Sequence, residues 1–413
     1  MTRLSDRDRA LVAGDLGDGP KTAMGLVAHM AKVLGATELV DITSAHIDGC
    51  LYHGHASLDF AEMLASSGAT VAVPTTLNVT SVDLLHPGSV RSDPSEQAAA
   101  KRLMDQYVQM GCEPTWTCAP YQREQRPEFG EQIAWGESNA IVFANSVLGA
   151  RTERYGDFLD ICCAITGRAP FIGLHTTEAR RATIRFDLQV DDDRHRDDLL
   201  YPLLGGVIGE VSGSAIPVVT GLDPSASEDQ LKALGAAAAS TGSVGLFHAV
   251  GVTPEARTLE QATGGASIVR SVVVDEEVLR EAAARIGGAS GRLGAVSLGT
   301  PHFSSDEFRK LDSLIDGRRT TVPFFVNTSR GVLDAMDSGV ALRLVDFGAT
   351  IVADTCAYLA PIVDDVDGVV LTNSGKAAFY GPSNVAWETR LASLSDCVES
   401  AVDGNVVTTG LLS

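Results

Sequence analysis

A chain of 413 residues, 45% hydrophobic and 21% charged, has enough apolar side chains to bury a large core and to divide it among more than one structural unit. Its formal net charge of −21, with no Lys/Arg run to offset it, repels phosphates and anionic lipid heads and argues against nucleic-acid or membrane partners. The charged N-terminus lacks a signal-peptide core and no run of about 18 apolar residues offers a membrane span, so a cytoplasmic location is the expectation.

Strand-like runs alternate with helix-length amphipathic segments along the chain. AMGLVAHMAKVLG (23–35) reads as a helix ahead of two buried parallel strands, ELVDIT (38–43) and TVAVPT (70–75). SEQAAAKRLMDQYVQM (95–110) follows as a helix, then AIVFAN (140–145) as a strand and GDFLDICCAITG (156–167) as helix core. The acidic run DDDRHRDD (191–198) reads most simply as a solvated loop, and a junction between subdomains is expected near residues 187–200. Helical EDQLKALGAAAAS (228–240) and DEEVLREAAARIG (275–287) flank the strand SVGLFHAV (243–250). Four more strands follow: GAVSLG (294–299), TVPFFVN (321–327), ATIVAD (349–354) and GVVLTN (368–373). The fold class is therefore α/β, with mostly parallel sheets covered by helices.

In such sheets the ligand lies beyond the carboxyl ends of the strands, so residues directly after strands carry the most interest. These are His46, Asn78, Asn145-Ser146, Pro301-His302, Thr355-Cys356 and Ser374-Gly375-Lys376.

Seven cysteines, an odd number without regular spacing, do not make a disulfide framework and are read as reduced thiols. Cys118 in EPTWTCAPYQ and Cys356 in DTCAYLAP share a Thr-Cys setting just ahead of a proline. That setting suits iron–sulfur ligands in rigid turns, although on spacing alone, with no CxxC, the reading as small buried residues is favoured. Cys162, Cys163 and Cys397 read as helix core, and the stretch from His46 through Cys50 to His53 and His55 has no standard zinc spacing. LTNSGKAAFYGP (371–382) ends like a phosphate loop, but its first glycine would fall on Val370 and Ala377 replaces the final Ser/Thr. A strand running into a Ser-capped helix with Lys376 remains an anion-attracting arrangement.

Together, SAHIDG, VPTTLN, EPTWTCAPY, FGEQIAWGESNAIVFANSVLGARTERYG, ITGRAPFIGLH, LFHAVGVTPEA, SLGTPHFS, DTCAYLAP and TNSGKAAFY resemble the blocks of the aconitase X family, in order and over roughly residues 38–400. The resemblance implies aconitase-type α/β/α layers, so that residues 1–413 form the catalytic, large-subunit region. It also implies an iron–sulfur cluster held by Cys118 and Cys356, and dehydration of a small hydroxy acid. Family members acting on mevalonate 5-phosphate carry a cysteine where this chain has Thr300, so a third thiolate is missing. The resemblance then favours a [2Fe–2S] cluster over [3Fe–4S] or [4Fe–4S], with a remaining ligand from water, His302, Thr300 or a neighbour.

Leu51 likewise replaces a polar position of those family members. Both departures resemble the bacterial branch, which dehydrates cis-3-hydroxy-L-proline to Δ1-pyrroline-2-carboxylate through an enamine. The alternatives are dehydration of a phosphorylated hydroxy acid such as mevalonate 5-phosphate, or a non-catalytic iron–sulfur regulatory protein. By resemblance, Gly49, Cys50, Leu51, Asn78 and Val79 face the substrate. Glu137 and Ser138 are catalytic, as is Lys376 at the anion site, and His46 and Arg151 are secondary substrate contacts. Asn78 and Ser138 supply hydrogen-bond donors, Lys376 pairs with the carboxylate, and Glu137 holds the ring ammonium or shuttles the proton. The family's small swivelling domain is not found in this sequence, so a separate small subunit is expected as a partner.

Overall fold

Two compact units divide the computed structural model, which describes residues 2–363 and 366–412. The first runs to Val82 and resumes over Ser92–Arg181; the second takes Asp83–Arg91 and the chain from Ala182 onward.

In the first unit, five short strands are β1 (Leu39–Asp41), β2 (Ala45–Ile47), β3 (Thr75–Leu77), β4 (Ala134–Trp135) and β5 (Arg168–Pro170). β2 lies between β3 and β4 in a parallel sheet, and β1 pairs antiparallel with β5. Helices Asp18–Leu34, Pro94–Gln109 and Leu159–Thr166 bring Met24, Val27, Leu103, Tyr107, Ile161 and Cys162 into one apolar core. Pro94–Gln109 shows why such segments are helical. Asp93 caps it by accepting from Ser95 N at 2.7 Å, Pro94 takes the first turn, and Ala100, Leu103, Met104 and Tyr107 bury one stripe.

Three expected strands differ. Of residues 38–43, β1 pairs antiparallel with β5 and Glu38 makes only an isolated parallel bridge to Arg3; Asp41, exposed beside Arg168, makes the segment a polar edge. Along 70–75 the backbone answers elsewhere: Val71 N–H donates to the Met110 carbonyl (2.9 Å) and Ala72 N–H to that of Ala164 (2.8 Å), so β3 starts only at Thr75. Residues 140–145 are helical, within Ser138–Phe143 and a π-turn over Ala144–Leu148. Asn139 to Phe143 are all buried, so no polar face betrays the helical period.

The second unit holds two wholly parallel sheets. Strands β6 (Ile184–Leu188), β7 (Pro217–Thr220), β8 (His248–Ala249) and β9 (Arg270–Val274) lie in the order β8-β7-β6-β9. Strands β10 (Leu293–Phe303), β11 (Phe324–Thr328), β12 (Ala349–Val352), β13 (Val369–Thr372) and β14 (Glu388–Leu391) lie in the order β12-β11-β10-β13-β14. The chain runs outward from β10 to β12, then returns to β13 on the other side. The carboxyl end of β10 is thus a topological switch point, where α/β sheets open a ligand crevice.

Only His248–Ala249 of the expected strand 243–250 is extended. The acidic run, expected as a solvated loop, forms a 3₁₀ turn over Asp192–Arg196 tied to the rest of this unit. Arg194 Nε donates to Glu276 (2.8 Å), and Asp197 accepts from Leu199 N and Leu411 N, both at 3.0 Å. Among the described residues no helix is long and apolar enough to cross a membrane.

β10 kinks at Gly299, whose φ of +84° lies in the left-handed region and whose absent Cβ would stand 2.2 Å from the Asn327 carbonyl oxygen. The Thr300–Pro301 peptide that follows is cis. Gly299→Ala adds both a left-handed side chain and a collision with β11. We expect it to destabilise the second unit by about 3 kcal/mol, read as a lower melting temperature with the first unit's helices unaffected in hydrogen exchange.

Candidate active site

The loops after β2, β3 and β4 gather most of the first unit's candidates. After β2, Leu51 N–H closes a turn on Asp48 O (3.3 Å), and the single S–H of buried Cys50 has the carbonyls of Ile47 (3.4 Å), Asn78 (3.3 Å) and Val79 (3.7 Å) within reach as acceptors. Burial pushes that thiol's pKa well up, with Asp48 and Asp160 adding to the rise, so Cys50 is a neutral staple joining the β2 and β3 loops. Asn78 N–H donates to Ile47 O (3.0 Å) and its side-chain amide to Asp48, which brings Gly49, Cys50, Leu51, Asn78 and Val79 into one patch.

His46 lies within β2 rather than after a strand, in register with Thr76 and Trp135. It is fully buried, with Nδ1 2.8 Å from Thr76 Oγ1. Burial lowers its pKa to about 4, Arg123 adding to the fall while Glu137 and the Thr117 backbone oppose it, so the ring is neutral near pH 7. Arg151 Nη1 donates to the His175 carbonyl (3.2 Å) and Thr177 Oγ1 (3.1 Å), contacts that fix the segment before Arg180.

Glu137 caps the helix Ser138–Phe143. Its Oε2 accepts from Ala140 N (2.7 Å) and the Asn139 amide, while Oε1 accepts from Ser138 Oγ (3.2 Å). Asn139 also donates to the Cys118 carbonyl (2.6 Å) and accepts from Tyr121 Oη (2.6 Å). A buried amide absent from the sequence expectations therefore links Glu137 to the Cys118 loop; its one signal was its place inside the block WGESN.

The Cys118 segment is pinned along β3. Thr115 Oγ1 accepts from Leu77 N (2.9 Å) and donates to Leu77 O (2.7 Å), and Thr117 N–H donates to the same carbonyl (3.1 Å).

In the second unit Thr300, Pro301 and His302 lie within β10 rather than after a strand, and the other candidates follow β12 and β13. Thr300 is buried in the kink, and its carbonyl accepts from Ser374 Oγ, the cap of the helix Gly375–Val385 that carries buried Lys376. His302 is fully buried, Nε2 lying 3.3 Å from the Thr355 carbonyl and its own carbonyl accepting from Lys232 Nζ (3.4 Å). Cys356 is 1% exposed and opens a turn whose Ala357 N–H donates to Asn327 Oδ1 (2.8 Å). Just before it, Asp354 has a positive φ of 61°, a buried carboxylate clamped by Arg330 through two contacts of 2.6 Å, and accepts from Leu84 N (3.1 Å). Neither Asp354 nor Arg330 was singled out in the sequence.

Cys118 in the first unit, and His302 and Cys356 in the second, are each buried and of metal-ligating type. Cys356 follows β12, His302 lies within β10 and Cys118 lies between the helix Pro94–Gln109 and β4. Buried thiol and imidazole side chains in such a fold define the class: an α/β protein with side chains of the kind that hold a metal group. Family models match almost the whole chain: the aconitase X first domain over residues 1–178, the second over 182–284 and the third over 293–403.

Cis-3-hydroxy-L-proline dehydratase of Pseudomonas aeruginosa is 45% identical, the match covering 97% of this chain and 70% of that protein. The phosphomevalonate dehydratase large subunit of Thermococcus kodakarensis is 32% identical over 96% of this chain and 99% of its own length. The crystal structure of Thermococcus kodakaraensis aconitase X in its holo-form superposes with a TM-score of 0.87 at 30% identity, covering 97% of this chain and 100% of that one. The chain belongs to the aconitase X family. Membership and buried Cys118, His302 and Cys356 together suggest an iron–sulfur cluster.

The lowered pKa of His46 has a defined sign. Between about 4 and the ordinary 6.5 the unfolded chain binds the proton that the folded one refuses. Stability from the neutral ring is thus fully present above pH 6.5 and lost as pH falls through about 4. In His46→Gln this dependence is gone, so the stability advantage of the native protein over the variant should shrink by about 3 kcal/mol from pH 7 to pH 4, measured by denaturant unfolding at each pH.

Proposed function

We propose that this chain is a hydro-lyase that dehydrates cis-3-hydroxy-L-proline to Δ1-pyrroline-2-carboxylate, with an iron–sulfur cluster held by Cys118, Cys356 and His302. The observation that carries the reading is the 45% identity, over 97% of the chain, with the Pseudomonas aeruginosa protein of that name, against 32% for the large subunit named for phosphomevalonate. Two residues agree with it. Thr300 offers no thiolate, which favours a [2Fe–2S] cluster, and Leu51 adds no polar group for a phosphate.

When bound, the cluster supplies Lewis acidity to the leaving hydroxyl at C3. The chain's own residues bind and orient the amino acid. Lys376, at the start of a Ser374-capped helix, pairs with the carboxylate, where ammonium and helix N-terminus both favour negative charge. Asn78 and Ser138 donate hydrogen bonds to the substrate, beside Gly49 and Val79. Glu137 Oε1, fixed by the capping role of Oε2, is assigned the ring ammonium and the C2 proton. Loss of that proton and of the C3 hydroxyl as water leaves the enamine, which tautomerises to the cyclic imine.

A separate small subunit completes the site in this reading, supported by archaeal relatives that bear the name large subunit. The chain, produced without oxygen together with such a subunit, should turn over cis-3-hydroxy-L-proline at least about 100-fold faster than mevalonate 5-phosphate. Equal or reversed preference contradicts the assignment. Lys376→Met should lower kcat/KM by about 100-fold or more through loss of the carboxylate partner, measured as imine formation.

A further inference from the structure

Asp160 is fully buried at the second position of the helix Leu159–Thr166 and lies behind two of the loops just assigned to substrate. From the β2 loop, Asp48 N–H donates to its Oδ2 at 2.7 Å, and Gly49 N–H is also directed at the carboxylate. From the β4 loop, Gly136 stands so close that a Cβ there would meet the same Oδ2 at 2.7 Å and the Asp48 Cβ at 3.2 Å. Gly136 N–H donates to the His46 carbonyl (2.8 Å), and the next residue is Glu137. Oδ1 accepts from Ile161 N at 2.7 Å, so the carboxylate is fixed to its own helix while it holds the β2 loop.

The turn leading into Asp160 is shaped for this contact. Phe158 adopts a φ of 78°, rare for a bulky residue, and its ring packs on Phe60 at 4.7 Å. Gly49 lies against this turn, since a Cβ on it would meet Asp157 and Phe158 within 4 Å and the Tyr107 hydroxyl at 2.9 Å.

We propose that Asp160 is a positioning residue that couples the Gly49–Leu51 loop to the Glu137–Ser138 loop through one carboxylate oxygen. This rests on the reading of those loops as substrate-binding and catalytic. The surroundings suit the task. Burial pushes Asp160 up to about 6, the amides of Asp48, Ile161 and Gly49 pull it down, and Asp157 pushes it up. Cys50, Cys112, Cys162, Cys163 and Tyr107 around it are all driven upward by burial and stay neutral. The backbone amides are therefore its compensating partners: the β2 loop can move only by abandoning a buried charge, while Gly136 of the β4 loop is packed directly against the same oxygen.

Asp160→Asn keeps the shape but replaces one acceptor with a donor, and Gly136→Ala pushes on Oδ2 from the opposite loop. In the holoenzyme with its small subunit, Asp160→Asn should lower kcat about 100-fold with KM within about 3-fold, the mark of lost transition-state alignment. The cluster's absorption spectrum should be unchanged. Amide exchange should quicken in peptides covering residues 47–51 and 136–140 but not in the helix 200–212. Gly136→Ala should reproduce that local exchange pattern, and the double variant should be no slower in turnover than the worse single one.

Native exchange in both loops in the two variants, or additive losses of kcat, overturns the proposal. If Asp160→Asn does not fold, Gly136→Ala decides alone, and native exchange and kcat in it overturn the coupling. Failure of the parent holoenzyme to turn over cis-3-hydroxy-L-proline counts instead against the substrate reading, and the exchange result still judges the coupling.

Discussion

The backbone N–H groups of loops that leave the sheets have no strand to pair with, and buried ones must find acceptors. In both units the acceptor is repeatedly a buried carboxylate or amide side chain. Asp160 takes Asp48 N–H after β2, and Glu137 takes Ala140 N–H after β4. In the second unit Asp83 takes Ala353 N–H (3.0 Å) with Leu85 and His86 N–H (both 2.9 Å). Asp354 takes Leu84 N–H, Asn327 takes Ala357 N–H, and Glu307 takes Ser304 N–H at 2.8 Å. Those to the carboxylates are charge-assisted, stronger than neutral bonds such as that to Asn327, and costly to leave unmade. They hold in one conformation loops that regular secondary structure does not reach.

Function follows from where those loops are. Two candidate groups sit at such anchors, Cys356 between Asp354 and Ala357 and Glu137 as an anchor itself, while Cys118 is held by the Thr115 and Thr117 bonds to β3. A metal group or a small amino acid is bound most tightly by donors that need not rearrange. Lys232 extends the pattern. Its buried ammonium is neutralised by Asp229 (2.9 Å) and Glu307, and it also holds the His302 carbonyl.

Much of this was legible in the residues. β10 to β13 were readable because buried parallel strands are continuous apolar runs bounded by turn residues, and the helices Pro94–Gln109, Glu228–Thr241 and Glu276–Gly287 because each keeps a cap and an apolar stripe. Residues 140–145 misled because a helix buried on every side has no polar period, and 70–75 because its amides answer helix carbonyls rather than a strand. Cys118, Cys356, Glu137 and Lys376 came from the family resemblance on their blocks, which spacing alone left open. Asp160, Asn139 and Asp354 escaped notice because their roles depend on partners distant in the sequence, such as Asp48, Cys118 and Arg330.

The account's central proposal is that Cys118 and Cys356 are ligands of an iron–sulfur cluster. It is tested most directly by absorption and EPR spectra of the anaerobically purified native protein beside Cys118→Ser and Cys356→Ser. We expect the cluster signal, and the bound iron and sulfide, to be lost in each single variant while the buried Cys50→Ser variant keeps them. A native spectrum in either of the first two, or no iron in the native protein, contradicts the claim.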